Sequence, residues 1–571
     1  MTFDRRRFLE SCSALGLTGL FPGALYAQIE EAPSDEDGPI TTEHVAAAET
    51  IAGLSFNAEE RELIAEGLNE KLQQVEALRE VELPNAVVPS STFDPRIGGA
   101  EIPTDDTPMR WTPRPVERPA SDEDLAFMTV GELAYLLSTQ QVTSIELTEL
   151  YLRRLREHDP VLKAVITYTE DRARRQAEQA DAEIAAGNWR GPLHGIPWGA
   201  KDLLAVEGYK TTWGAAPYQD QTLDETAAVV RMLDEAGAVL VAKLTLGALA
   251  WGDVWYGGET KNPWNVEQGS SGSSAGPGSA VAAGCVGFAI GSETLGSIVS
   301  PSTRNGITGH RPTYGAVPRT GAMALSWTMD KLGPMARSAE DCALIFDAIR
   351  GADPGDPASV DMPFPYQQGV DVTALRVGYL PDAFEGDYDN AAADQATLTV
   401  LRDDLGLDLQ PMALPTDMPV DAILNTLDVE AAAAFDELTR TRGVDAMVRQ
   451  GENTWPNVFR TARFVPAVEH VQMSRARTVL MQRVHEVMQD VDVFVSPSYR
   501  GGTLGITNLT GHPCVCVPNA FRPLEDAPDS PRREPDSVTF VAPLYQDHHA
   551  IVLAQAYQGV TDFHRRRPPI Q

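Results

Sequence analysis

Cysteine is scarce: Cys12, Cys285, Cys342, Cys514 and Cys516 are the only five in 571 residues. That is too few for a disulfide scaffold. Cys514 and Cys516 lie two apart in Pro-Cys-Val-Cys-Val, so they share one face of a strand, where a bridge between them would be strained. There is no Cys-x-x-Cys and no His-x-x-x-His, and His548 and His549 are adjacent, so no metal site is expected. Long apolar runs are missing as well. The one strongly apolar stretch near the N-terminus, residues 14–25, is too short to span a bilayer, which excludes a multi-pass membrane protein and stable membrane insertion.

Positive charge is also in short supply. Lysine and arginine number 46 against 81 acidic residues, for a net charge of -35. Such a field repels phosphate backbones, so a nucleic-acid partner is not expected. Only seven of the 46 are lysines: Lys71, Lys163, Lys201, Lys210, Lys243, Lys261 and Lys331. Their scarcity makes each one easy to examine for a special role. Hydrophobic residues make up 43%, enough for a chain of this length to bury a sizeable core.

The chain opens on an address label. Residues 4–9 read Asp-Arg-Arg-Arg-Phe-Leu, and a weakly apolar segment leads to Ala27. This pattern looks like a twin-arginine export signal covering residues 1–27, with a periplasmic or extracellular destination. Leu25 is a poor residue for the -3 position of the cleavage site. Residues 40–80 carry helical periodicity, and residues 83–122 turn to proline-rich loop chemistry. Residues 28–125 therefore read as a helical extension and arm, long enough to wrap the core or to pair with a second copy as a homo-oligomer. Thr129-Val-Gly-Glu and Thr143-Ser-Ile-Glu each start a helix with a capping box. From there helices alternate with short apolar runs at residues 238–242, 286–290, 376–380 and 491–495, which argues an α/β fold with a mostly buried sheet. Residues 351–366, rich in Gly, Pro and Asp, read as a surface loop.

Two segments suggest chemistry. Gly269-Ser-Ser-Gly-Ser-Ser-Ala-Gly276 is followed by the small-residue run Gly278–Gly284, which predicts a tight loop with exposed amides and then a closely packed helix. Gly272-Ser273-Ser274-Ala275-Gly276 matches the nucleophile-elbow pattern, but the preceding Asn262–Gln268 reads as a turn, whereas an elbow requires a strand there. Gly291-Ser-Glu-Thr-Leu-Gly-Ser297 follows an apolar strand, a favourable place for a nucleophile whose neighbouring amides face a substrate.

With these blocks the sequence resembles the amidase signature hydrolases. Leu193-His-Gly-Ile-Pro-Trp-Gly-Ala-Lys201-Asp202 looks like the family's lysine-bearing strand, Gly272–Gly276 like its serine-glycine signature, and Gly291–Ser297 with Gly309-His-Arg-Pro-Thr-Tyr-Gly315 like its nucleophile block. Weaker similarity continues through Asp330–Arg337 and Asn508–Pro513. The resemblance implies a large mixed sheet covered by helices on both faces, in a domain spanning residues 126–571. It implies a Ser-Ser-Lys triad: Ser297 as nucleophile, Ser273 as the bridging serine in a cis peptide, and Lys201 as a base kept neutral by burial. It also implies an oxyanion site at the backbone N–H groups of Thr294, Leu295, Gly296 and Ser297, and no cofactor. A structural ion-pair role for Lys201 beside Asp202 is the alternative.

The sequence departs from the family pattern at Glu293, Leu295 and Val299, where aspartate, glycine and arginine are usual. Arg304 is the expected replacement partner for the acid at 293. Trp251, Trp255, Trp327 and Met329 are candidates for the substrate pocket. The implied activity is cleavage of a small-molecule or peptide amide through an acyl-enzyme. The alternatives are an inactive amidase-like binding protein and a glutamine-hydrolysing amidotransferase A-type subunit.

Overall fold

The structure is a computed structural model that describes residues 39–104 and 107–570. The twin-arginine segment and Cys12 lie outside the described residues. The chain divides into two compact units at Leu83/Pro84. The first contains two helices, Thr42–Ala52 and Ala58–Arg79, each closed by a capping box, at Thr41/His44 and Asn57/Glu60. Arg61 joins them by pairing with Glu49 at 2.7 Å.

The second unit is built on an eleven-stranded mixed sheet. In chain order the strands are β1 (Val165–Tyr168), β2 (Pro197–Lys201), β3 (Val239–Leu244), β4 (Val254–Trp255), β5 (Gly258–Glu259), β6 (Lys261–Asn262), β7 (Asn265–Gly269), β8 (Phe288–Glu293), β9 (Thr308–Arg311), β10 (Lys331–Ala336), β11 (Val377–Tyr379), β12 (Leu409–Pro411), β13 (Val493–Pro497), β14 (Cys514–Pro523) and β15 (Arg533–Val541). β4–β5 and β6–β7 form two small ladders of their own. The large sheet runs β1-β3-β2-β8-β10-β9-β14-β15-β13-β11-β12. β2 is parallel to both β3 and β8, whereas β8 through β13 pair antiparallel along that order.

Every position of β2, β3, β8 and β10 is buried, because both faces of the sheet are covered. Leu240, Phe288 and Ile290 point into one apolar cluster with the helices Val130–Ser138 and Ala339–Ile349. Val239, Val241 and Ala289 point into another with the helix Ala275–Ala282. The two capping boxes read from the sequence are present, with Thr129 and Thr143 as N-caps. Among the described residues, no helix is long and apolar enough to cross a membrane.

Residues 351–366 carry neither helix nor strand, but they are not wholly a surface loop. Met362, Phe364 and Tyr366 are buried, and the Phe364 and Tyr366 rings stack at 5.9 Å, so apolar side chains draw the end of this Gly/Pro/Asp segment into the core. Residues 262–268, expected as a turn, instead carry most of a short strand, Asn265–Gly269, paired with Lys261–Asn262.

Candidate active site

β2 and β8 lie side by side, and their C-terminal ends bring two sequence blocks together. Lys201 ends β2 and is completely buried. Its Nζ donates to Ser273 Oγ at 2.8 Å, Ser274 Oγ at 2.9 Å and Ser292 Oγ at 2.8 Å. Burial holds the Lys201 ammonium well below the usual lysine range, against weaker opposition from Asp330 and Glu293. Asp202 does not pair with it. That carboxylate faces Lys243 on β3 at 2.7 Å, with both side chains fully buried. The lysine on the neighbouring strand therefore takes the ion-pair role, and Lys201 meets only neutral hydroxyls and a carbonyl.

The serine-glycine loop is held from several sides. The Gly272–Ser273 peptide is cis, as the resemblance implies for the bridging serine. Gly272 is obligatory there, because a Cβ would lie 1.8 Å from the Gly252 carbonyl oxygen. Asp253 Oδ2 accepts the Ser271 N–H at 2.8 Å, and the Ser271 and Ser300 hydroxyls meet at 2.6 Å. Ser274, the elbow candidate, is fully buried, and the Ser292 N–H donates to its Oγ at 3.1 Å. It fastens the loop to β8. The helix that follows, Ala275–Ala282, is buried at all eight positions, which only small side chains permit.

Ser297 lies in the turn between β8 and the helix Val299–Asn305. Its carbonyl accepts the Ser274 N–H at 3.2 Å, which joins the two serine blocks. Ser297 is 9% exposed, whereas Ser273 is 1% and Lys201 0%, so accessibility rises from the lysine toward Ser297. Among the described residues, the Ser297 hydroxyl makes no hydrogen bond within the protein. The N–H groups of Leu295, Gly296 and Ser297 likewise have no partner there. Gly296 takes the left-handed conformation, with φ +83°, and Leu295 does not, so the turn accommodates a side chain at 295.

Glu293 organises the base of this turn. Its Oε2 accepts the N–H groups of Ile298 and Val299 at 2.8 and 2.9 Å. Its Oε1 accepts from Arg311 Nη1 and Asn508 Nδ2, both at 2.8 Å. Burial alone would raise the pKa of this carboxyl. The charge and hydrogen bond of Arg311 outweigh burial and bring it to about 2. The expected partner, Arg304, is instead exposed and donates to Gln268 at 3.1 Å. It lies on the short helix after the Ser297 turn, whereas Arg311 on β9 reaches Glu293 from inside the sheet. Sequence reasoning does not single out Arg311, Asn508 or Ser292 as contacts, although each lies inside or beside a block shared with the family.

A cavity of about 190 Å³ opens beside Ser292 and Thr294. Trp327 lines it, and the Trp327 carbonyl accepts from Tyr314 Oη at 2.6 Å. The other pocket candidates lie elsewhere. Trp251 packs edge-on against Trp455 at 4.6 Å, Trp255 against Tyr256 at 4.9 Å, and Met329 is fully buried in a cluster with Val299 and Leu480. Asp330 also lines the cavity.

A buried lysine bonded to a loop serine, beside a second serine whose own amide and the two before it are unpaired, defines a constellation suited to acyl transfer. The family model described as Amidase matches residues 146–548, and the chain belongs to this family of amide-hydrolysing enzymes. It is 31% identical over 490 residues to the A subunit of the glutamyl-tRNA(Gln) amidotransferase of Roseiflexus castenholzii, covering 78% of this chain and 98% of that protein. The corresponding Pseudomonas syringae pv. syringae protein is 32% identical over 489 residues, covering 77% and 99%. Among solved structures, the native peptide amidase of Stenotrophomonas maltophilia matches with TM-score 0.66 and 27% identity, covering 77% of this chain and 98% of that one.

Proposed function

We propose that the chain is an exported amidase that hydrolyses a carboxamide through Ser297, Ser273 and Lys201. The observation that carries this reading is the 2.8 Å contact between the buried Lys201 Nζ and Ser273 Oγ. On substrate binding the Ser297 hydroxyl turns to Ser273 and passes its proton through that serine to neutral Lys201. Ser297 Oγ bonds to the carbonyl carbon, and the oxyanion meets the N–H groups of the 294–297 turn. Such donors typically lower a barrier by about 3 to 4 kcal/mol each. The proton returns through Ser273 to the leaving nitrogen as the C–N bond breaks. Water then adds to the acyl-enzyme along the same relay and releases the carboxylate. The Arg5-Arg6 pattern with Phe8 and Leu9 supports export.

A second reading is favoured by the amidotransferase relatives: an A-type subunit that releases ammonia from glutamine. The net charge of -35 weighs against a role beside tRNA.

The test is intact mass after exposure to a small fluorophosphonate, with Ser297→Ala beside wild type. One adduct on wild type and none on the variant is the expected result. An adduct that persists in the variant moves the nucleophile elsewhere. Absence of labelling from neutral to alkaline pH turns the reading toward a binding protein. Turnover of simple amides by the purified chain alone separates the amidase from the partner-dependent subunit.

A further inference from the structure

The cavity beside Ser292 and Thr294 has a wall that no catalytic block supplies. Asn85, Ala86 and Val88, from the start of the second unit, line it. The Asn85 side chain makes a two-way clasp with Ala324: its Nδ2 donates to the Ala324 carbonyl and its Oδ1 accepts the Ala324 N–H, both at 2.8 Å. The clasp sits on a turn closed by the Val87 N–H on the Pro84 carbonyl at 2.9 Å. Further along, Phe93 lies edge-on to Tyr314 at 4.9 Å and under the Arg477 guanidinium at 3.8 Å. The segment is thus pinned on both sides of residues 86–92. Ala324 belongs to the stretch Met323–Leu325 that forms the adjoining wall.

The charges facing this cavity from inside the protein are already committed. Arg319 donates through Nε and Nη2 to Asp356 at 2.9 Å each and through Nη1 to the Trp327 carbonyl at 2.8 Å. Asp330 accepts from Thr294 Oγ1 at 2.5 Å and from the N–H groups of Leu325 and Ser326 at 2.8 and 2.9 Å. Glu225, at the rim, is solvent-exposed. The remaining lining is largely apolar, with Leu203, Met323, Leu325 and Leu332. An anionic substrate group entering here would lose water without gaining a free counter-charge.

We propose that Asn85, Ala86 and Val88 form a wall of the substrate cavity, that Asn85 is a specificity-determining residue, and that the cavity receives an uncharged, largely apolar group of the amide. This rests on the reading of Ser297 as the nucleophile. The asparagine acts by fixing the position of the Met323–Leu325 wall, and an apolar pocket with a fixed wall discriminates by size.

The test compares wild type with Asn85→Ala, which releases the clasp, and Ala86→Trp, which narrows the mouth. Substrates are acetamide, hexanamide, 4-phenylbutyramide and glutamine, with a parallel series of acetanilides of graded ring size. Rates are referred to sites counted by fluorophosphonate labelling of Ser297, so misfolded protein does not enter kcat/KM. Wild type is expected to prefer hexanamide and 4-phenylbutyramide to glutamine. Ala86→Trp is expected to lower the ratio of kcat/KM for the large members of one series to that for acetamide by about tenfold. Asn85→Ala is expected to flatten the size preference. Preparations that label normally but keep the wild-type preference in both variants and both series overturn the wall assignment, and a preference for glutamine overturns the apolar one. Failure of Ser297 to label would instead sink the reading on which the proposal rests.

Discussion

Lys201 owes its chemistry to what does not face it. A lysine next to an aspartate in sequence invites an ion-pair reading, but alternation at the end of β2 sends the two side chains apart, and Asp202 finds Lys243. Lys201 is left with hydroxyls, and burial lowers its proton affinity. Only the neutral amine accepts a proton, so kcat/KM should rise with pH through the Lys201 titration. That acid limb should have its midpoint well below the 10.5 of an ordinary lysine. The pH profile of wild type beside Lys201→Ala checks this. The variant should lose at least about 100-fold and show no such limb, and a limb that survives the substitution would assign it to another group. At this scale the sequence was informative, because Lys201, Ser273 and Ser297 stand in recognisable blocks. The hydroxyl of Ser292 was harder to see, since nothing in Gly291-Ser-Glu distinguishes a serine aimed at a lysine from one that merely fills a strand.

Among the elements, the turn after β8 depends on a clamp that spans three of them. Glu293 holds the first amides of the following helix, and Arg311 on β9 and Asn508 on the helix Thr503–Thr510 hold Glu293. Arg311 also reaches the Thr507 hydroxyl at 2.8 Å and the His512 carbonyl at 2.9 Å. Arg311→Met would strand a buried carboxylate, so it should destabilise the protein by about 3 to 5 kcal/mol in chemical denaturation. The missing ion pair should matter less in strong acid. Glu293 has a depressed folded pKa of about 2 against 4.5, so its stabilisation is present above pH 4.5 and fades as pH falls toward 2. The variant and wild type should therefore converge in stability over that window. The sequence signalled that the acid at 293 needed a new partner, but not which arginine. Nearness along the chain favoured Arg304, and register between β8, β10 and β9 selected Arg311. β3, β8, β11 and β13 were legible as short apolar runs. β15 was not, because its first half, Arg533-Glu-Pro-Asp, is polar and pairs with the end of β14.

The whole molecule carries a net charge of -35. Among the described residues most ion pairs have exposed side chains, where each contributes little, so the acidic excess repels itself. The Debye length shrinks from about 30 Å at 0.01 M salt to about 3 Å at 1 M. The melting temperature should consequently rise between those concentrations of sodium chloride, a trend that scanning calorimetry will measure, and a fall would show that the surface pairs dominate.

The large sheet also has a seam. Strands from residues 165–336 fill one side of it, strands from residues 377–541 fill the other, and β9 meets β14 between them. All three proposed catalytic groups belong to the first side. The second side supplies the Thr507 hydroxyl and His512 carbonyl that hold Arg311, and the Asn508 amide that holds Glu293. During synthesis, then, Lys201, Ser273 and Ser297 leave the ribosome before Thr507, Asn508 and His512 do. A nascent chain that has passed Ala336 holds Glu293 and Arg311 but not Asn508, the second side-chain donor to Glu293. The turn after β8 therefore gains its full set of contacts only once β14 has paired with β9 and the second block of strands has closed on the first.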